Sequence, residues 1–219
     1  MEEYIEIIKK SPLFKDIEEE NILKMLGCLG ARVLEFDKKY TVFSEGSGAK
    51  HLGIVLSGCV QINRIDYYGN RSILSEVRAP QMFAEAFACS DVEIMPVSVI
   101  ATEPSVIMII EVSHILHTCS NVCDFHQKLI FNLMKDLAEK TIQFHKRSEI
   151  ISKRTTREKL LAYLYLESGG TKHKSFDIPF DRQELADYLE VERSGLSAEI
   201  SKLRREGVIE SEKNRFKLL

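Results

Sequence analysis

No run of about 18 uncharged apolar residues occurs in the 219-residue chain, so no segment is suited to cross a bilayer as a helix. No succession of basic, apolar and small residues opens it in the manner of a secretory leader. Cysteine is scarce: Cys28, Cys59, Cys89, Cys119 and Cys123 form an odd set of five without one Cys-x-x-Cys. That argues against a disulfide framework and makes free buried thiols the expectation. Histidine is thin as well, with only His51 between Arg32 and Val112. A cupin-like metalloenzyme needs clustered histidines and a carboxylate on its strands, so that stretch excludes one. A strong charge of either sign is also missing, the net being -3, while 44% of residues are apolar and 29% charged. The expectation is a cytoplasmic globular protein, not an enzyme, of two small domains.

The small net charge conceals an asymmetry. Residues 1–152 carry 16 Lys/Arg against 21 Asp/Glu, and residues 153–219 carry 14 against 12. A mildly basic end by itself equally describes a solvated surface, so the placement of the cations decides. Tyr4 to Leu29 reads as two short amphipathic helices broken at Ser11-Pro12. From Ala31 to Val112 the period shortens. Arg32–Phe36, Leu52–Leu56, Cys59–Ile65 and Ser105–Val112 read as strands, separated by turn signals at 45–48, Ser57-Gly58 and 68–70. Many short strands with frequent turns predict an all-β roll, barrel or sandwich.

Residues 119–151 contain no Gly or Pro and predict a long helix. Ile130, Leu133, Leu137, Thr141 and Phe144 follow at three or four residues, close to a heptad seam. Such a seam packs on its own domain or pairs with a two-fold mate. A second helix starts at Thr155, where Thr155 and Glu158 fit a capping box, and stops at Gly169-Gly170.

The segment 181–209 has the layout of a helix-turn-helix. Asp181 is a good N-cap with Glu184 three residues on, and Leu185, Ala186 and Leu189 supply an inner face. Glu190-Val191-Glu192 makes the turn. Arg193 to Arg205 then forms a helix that buries Leu196, Ile200 and Leu203 and presents Arg193, Ser194, Ser197, Ser201, Lys202 and Arg205 on its opposite face. A guanidinium at the start of such a helix reaches guanine O6 and N7, and hydroxyls and lysine serve bases or phosphates. Residues 208–218 alternate as a hairpin with Lys213-Asn214 at its tip, where a wing touches DNA backbone. Two helices of mixed charge also suit a small helical domain without a nucleic-acid partner.

The string Arg182-Gln183-Glu184-Leu185-Ala186-Asp187-Tyr188-Leu189, with Val191, Arg193-Ser194, Leu196-Ser197 and Leu203 through Ile209, resembles the CRP/FNR family of bacterial transcription regulators. Ser11–Phe14, Phe43–Gly46, Ile54–Gly58 with Val60, and Phe83–Glu85 extend the resemblance into the N-terminal half. It implies an α+β architecture: a jelly-roll-like β-roll sensor domain over 1–118, a central dimerisation helix over 119–151 and a winged helix-turn-helix over 152–219. It further implies a homodimer on an inverted-repeat operator in double-stranded DNA, with RNA polymerase as a further partner and no membrane. Arg193 matches the family's principal base-reading arginine and Ser194 a frequent glutamate that also contacts bases, and Arg182 and Gln183 join them, with Lys213, as DNA-binding candidates. Ala198 stands where an arginine is frequent, so the recognised sequence is expected to differ from the usual one.

The effector pocket departs from the pattern. Cyclic-nucleotide-binding members have Phe-Gly-Glu and, ten residues after the Glu, an Arg for the cyclic phosphate followed by Ser or Thr. Here Ala84-Glu85 is followed by Met95-Pro96. Burying a phosphodiester without a guanidinium leaves its charge poorly compensated, so tight binding of cyclic AMP is not expected. The pocket candidates are Phe83, Ala84, Glu85, Ala86, Met95, Pro96, Val97 and Ser98, with Lys140 as a replacement cation and Thr141 beside it. Glu85 either meets a cationic or hydroxylated ligand or caps its own turn. The effector is unknown, a small molecule or a redox event, and a β-roll without any ligand is the alternative. No cysteine precedes Cys28, so an iron-sulfur cluster is not expected. Cys119 and Cys123, four apart near His117 and His126, suit a structural role better than a metal or thiol switch, and no metal is expected.

Overall fold

The structure is a computed structural model that describes residues 1–116, 124–171 and 173–219. Cys119, Cys123 and His117 lie outside the described residues. The chain divides into two compact units, one of Met1–Gly69 with Leu74–Thr141 and one of Asn70–Ile73 with Ile142–Leu219.

The first unit begins with α1 (Ile5–Ile8) and α2 (Glu19–Cys28), joined through a 3-10 turn at Pro12–Phe14. The strands follow: β1 (Arg32–Phe36), β2 (Thr41–Phe43), β3 (His51–Ser57), β4 (Cys59–Ile65), β5 (Arg71–Arg78) and β6 (Met82–Phe83). After α3 (Glu85–Ala88) come β7 (Ser98–Ala101), β8 (Ser105–Glu111) and α4 (Ser113–Leu116). One sheet has the order β1-β8-β3-β6 and the other β2-β7-β4-β5. The β-roll predicted from alternating patterns is thus a pair of antiparallel sheets.

Central strands buried on both faces explain the unbroken apolar run Leu52–Leu56. Leu52, Ile54 and Leu56 of β3, with Met108 and Ile110 of β8, meet the N-terminal helices on one side. Val55, Ile107 and Ile109 point the other way, onto Val60, Val77 and Val99 of the second sheet. The two strands pair with Leu52 opposite Ile110 and Ile54 opposite Met108, which keeps each set on its own face. A slip of one residue would exchange the faces.

The long helix α5 (Asp124–Ile151) lays Leu129 and Leu133 into the core of the first unit. Asn132 fastens it there, its Nδ2 donating to the carbonyls of Leu13 at 3.0 Å and Lys15 at 2.9 Å.

In the second unit, α6 (Thr156–Glu167) starts at the predicted box, Thr155 and Glu158 each capping the other. A three-stranded sheet in the order β10-β11-β9 joins β9 (Ser175–Asp177) to β10 (Ile209–Glu212) and β11 (Arg215–Leu218), with α7 (Arg182–Leu189) and α8 (Arg193–Arg205) between. Their common core holds Leu160, Tyr163, Leu185, Leu196, Leu203 and Phe216. Arg147 of α5 is buried beside it, 4.9 Å over the Tyr188 ring, and donates from Nη2 to the Ile73 carbonyl at 2.9 Å and the Tyr188 carbonyl at 3.1 Å.

The β3–β4 turn depends on Gly58, whose φ of +81° is one that L side chains rarely adopt. A Cβ there would also lie 2.4 Å from Ser105 Oγ, the hydroxyl that accepts from the Cys59 amide at 3.1 Å. Gly58→Ala should therefore cost about 2 kcal/mol or more, read as a lowered urea midpoint with an unchanged m-value.

Candidate nucleic-acid interface and the interior of the β-roll

The exposed helix of the second unit is positioned by local chemistry first. Asp181 accepts from the Glu184 amide at 2.8 Å and the Asp181 amide donates to Glu184 Oε2 at 2.9 Å, so the predicted box caps α7. Glu190 then takes a left-handed φ of +54° and turns the chain, and Val191 packs on the core between the helices. On α8, Leu196, Ile200 and Leu203 are buried. Arg157 of α6 fixes the helix laterally, reaching Glu199 at 3.2 Å and Glu206 at 2.6 Å.

What α8 leaves bare is the predicted stripe: Arg193, Ser194, Ser197, Ser201, Lys202 and Arg205 are all exposed. Ser201 Oγ donates to the Ser197 carbonyl at 2.9 Å, while Arg193 carries no ion pair among the described residues. Lys213 is exposed at the tip between β10 and β11, with a φ of +49°. Gln183 is exposed and held by Asp187, Nε2 donating to Oδ1 at 2.8 Å. Arg182 is half-buried, its guanidinium 4.9 Å over the Phe216 ring, so packing as well as charge fixes it. Arg204 and Arg215, both exposed, flank this surface and were missed. The alternation Arg215-Phe216-Lys217, with only Phe216 buried, was the available signal.

In the first unit the pocket candidates separate. Phe83, Ala84, Met95 and Val97 are buried in the core between the sheets. The tip of the Phe83 ring abuts Gly53, where a Cβ would come within 2.1 Å of it, and its centroid is 5.5 Å from that of Phe43. These residues fill the interior. Ser98 is half-buried and accepts from the Glu45 amide at 3.2 Å. Ala86, Pro96 and Thr141 are exposed and line no interior; Thr141 Oγ1 donates to the Leu137 carbonyl of its own helix at 2.8 Å.

Of the charged candidates, Glu85 and Lys140 are brought together, each as the other's partner. Glu85 does not cap its turn, since no side chain caps α3. Instead its carboxylate, 4% exposed as a residue, pairs with Lys140 Nζ at 2.9 Å. Lys140 also meets Asp136 at 3.1 Å and the Met82 carbonyl at 2.6 Å. Among the described residues only the Met82 carbonyl takes a hydrogen bond from it, the two carboxylates lie at ion-pair distance, and Glu85 Oε2 and Asp136 Oδ2 keep no hydrogen-bond partner. Lys140 is therefore not a free cation for an effector. Burial, reinforced by the negative charges of Glu85 and Glu139, raises Asp136 above the usual carboxylate range against the pull of Lys140.

Burial likewise pushes the Cys59 thiol up to about 11 and raises that of Cys89, which disfavours the thiolate form of both. Among the described residues no group of three His, Cys, Asp or Glu side chains could hold a metal ion. No described helix is long and apolar enough to cross a membrane.

The expected seam on α5 is corrected by one residue. Leu133 is 2% exposed inside its own core and is not available to a partner, while Ile130 and Leu137 lean on the same core and are half-buried. Thr141 and Phe144 are exposed. The helix carries two apolar stripes, and the outer one shows Phe131 at 60% and Met134 at 59% exposure. Phe131, Met134, Ala138, Thr141 and His145 repeat at three, four, three and four residues along it.

Residues 33–121 match the cyclic nucleotide-binding domain family, and residues 158–219 match the Crp-like helix-turn-helix domain. No curated protein matches the sequence. Among solved structures the fold is similar to CLP of Xanthomonas campestris, a c-di-GMP-responsive global regulator, at a TM-score of 0.73 and 14% identity over 92% of this chain and 99% of that one. It is similar to a mutant of CooA from Carboxydothermus hydrogenoformans at 0.72 and 16% identity, covering 93% and 87%. A CRP-family transcriptional regulator of Thermus thermophilus gives 0.61 and 20% identity, covering 85% and 91%.

Removing the lysine from the buried cluster leaves two carboxylates facing each other. Lys140→Met should cost about 2 kcal/mol, less than a fully buried pair because the lysine side chain is 31% exposed. Asp136 has a raised folded-state pKa, so the native state holds its proton more firmly than the unfolded chain, and that stability fades as pH rises. Lys140 pulls that pKa down, so removing it raises Asp136 further and the variant gains more from protonation than the parent does; the deficit should shrink as pH falls from about 8 to about 5, measured as urea midpoints of both proteins across that range.

Proposed function

Because this chain belongs to the CRP/FNR family of DNA-binding transcription regulators, we propose that it works as a cytoplasmic homodimer on an inverted-repeat operator, under the control of a small-molecule or redox effector acting through the β-roll. The observation that carries the reading is the bare row Arg193, Ser194, Ser197 and Lys202 on a helix whose other side is anchored by Leu196, Ile200 and Leu203. A helix of that kind fits the major groove of B-DNA, and its guanidinium can take a guanine bidentately. Two copies brought together along the outer stripe of Phe131 and Met134 would offer two such helices to half-sites about 34 Å apart. Burying that stripe removes apolar surface from water on both copies.

The functional division follows the family: a β-roll over 1–118, the dimer helix over 119–151 and the winged helix-turn-helix over 152–219, with RNA polymerase as the further partner. A shift in the dimer's arrangement, biased by the effector, would turn both recognition helices toward or away from the groove spacing. A second reading, a constitutive regulator whose β-roll is a ligand-free scaffold, is favoured by Phe83 filling the space against Gly53 and by Lys140 being paired with Glu85 and Asp136 inside the chain.

Cyclic AMP is not the effector in either reading, since no guanidinium answers its phosphate. Titration calorimetry should find no binding at micromolar concentrations, and a saturable heat there would refute the exclusion. Selection of bound duplexes from a random pool, with and without cell extract, should recover two inverted half-sites about one helical turn apart. Arg193→Ala should then weaken binding to the selected duplex by about 1–3 kcal/mol, and Lys202→Ala should lower affinity for every duplex and reduce the salt slope by about 1. Equal affinity of the parent protein and Arg193→Ala for the selected duplex would remove the base-reading role.

A further inference from the structure

Part of the second unit comes from far back in the sequence: Asn70–Ile73, where β5 begins, count with Ile142–Leu219. This segment is held on the last turn of α7 at two consecutive residues. Arg71 meets Asp187 across 116 positions of sequence, with Nε 2.8 Å and Nη2 2.6 Å from the same carboxylate oxygen, Oδ2. Ile73 is fully buried in the core that holds Leu185, Leu189 and Leu196. The carbonyls of Ile73 and Tyr188 both accept from Arg147 Nη2. Burial of Ile73 supplies the adhesion, the shared guanidinium sets the segment against α7, and Arg71 then reaches Asp187 from a backbone that is already ordered.

Asp187 has a second bond. Its Oδ1 accepts from Gln183 Nε2 at 2.8 Å, one turn earlier on the same face of α7. A carboxylate can only accept, so the amide nitrogen is the end of Gln183 turned toward it. The Asp187 side chain is 12% exposed, whereas Gln183 lies open beside it and is a candidate for DNA contact. A carboxylate left alone there would repel phosphates arriving at Gln183. The helix cannot answer that charge itself: Arg182 is its one cation, and that guanidinium lies over the Phe216 ring. Among the described residues, Arg71 is the cation paired with Asp187.

We propose that Arg71 is a positioning residue for DNA binding, which neutralises Asp187 and through it holds Gln183, so that segment 70–73 completes the helix-turn-helix from outside its own stretch of sequence. Arg71 itself does not touch the duplex. The inference rests on the chain binding duplex DNA.

The test is a double-mutant cycle in the full chain, with Arg71→Gln, Asp187→Asn, the two together, and Arg71→Lys, each checked by thermal melting. Fluorescence anisotropy at fixed salt reads affinity for a duplex recovered by selection and for an unrelated one. Arg71→Gln should weaken both about fivefold, the upper end of what a half-exposed ion pair supplies, because a bare carboxylate repels phosphates of any sequence. Arg71→Lys should retain most of the parental affinity. Added to Asp187→Asn, Arg71→Gln should cost nothing further, the non-additivity expected when one residue acts through the other. A folded Arg71→Gln protein with parental affinity would reduce the pair to a structural contact and overturn the proposal. Equal losses with and without the Asp187 carboxylate would mean that Arg71 meets the duplex directly, which overturns it too. Both of those results leave DNA binding standing, whereas a parent protein that binds neither duplex overturns this inference and the proposed function together.

Discussion

Leu196, Ile200 and Leu203 have no polar atoms in their side chains, and α8 must remove them from water somewhere. The core that receives them is assembled by α6, α7 and the small sheet, which bring Leu160, Tyr163, Leu185 and Phe216 to the same place. Because successive turns of α8 are committed to that core, the opposite side has no freedom to rotate inward. Each of these leucine or isoleucine side chains contributes about 1.5–3 kcal/mol by leaving water. Turning the helix to hide its arginines would forfeit that and strand the charges. The exposed row of serines and cations is thus a consequence of where the apolar residues must go. Arg157 then trims the remaining freedom by gripping Glu199 and Glu206.

The β-roll obeys the same rule with a different outcome. Two sheets can close on each other only if something takes up the volume between them, and here Phe83 does so against a residue with no side chain, Gly53. Glu85, at 4% exposure, is then cut off from solvent, and its charge must find a cation inside the chain. Lys140 supplies it from the long helix, with Asp136 one turn before it on the same helix completing the set. The part of α5 that belongs to the first unit is consequently tied down at two places, by Asn132 to the carbonyls of Leu13 and Lys15 in the N-terminal segment and by Lys140 to the Glu85 carboxylate and the Met82 carbonyl of the β-roll.

How much of this was legible in the sequence follows from the range of each interaction. The capping boxes at Thr155 and Asp181, the turn at Glu190, the extent of α8 and the hairpin tip at Lys213 all depend on residues within four positions of one another. Each was read correctly. The run Leu52–Leu56 announced a strand in the same way. What was not legible depends on neighbours distant along the chain. The period of α5 permits two apolar stripes, and only the presence of Leu13, Leu26 and Ile54 beneath one of them decides that Leu133 faces inward and Phe131 outward. Glu85 and Lys140 stand 55 positions apart, and nothing local to either names the other. Arg204 was passed over because it lies outside the stripe opposite the buried leucines, although the adjoining strands complete a cationic surface around it.

The grip of Arg157 on Glu199 and Glu206 has an effect at distances where nothing touches. Glu199 and Glu206 share the one guanidinium of Arg157 on the side turned toward α6, whereas Arg193, Lys202, Arg204 and Arg205 make no ion pair among the described residues. Positive potential is thereby displaced sideways from the helix axis, and a polyanion several ångströms away feels a torque as well as an attraction. An approaching duplex is oriented before contact, so fewer encounters are spent on faces that cannot dock.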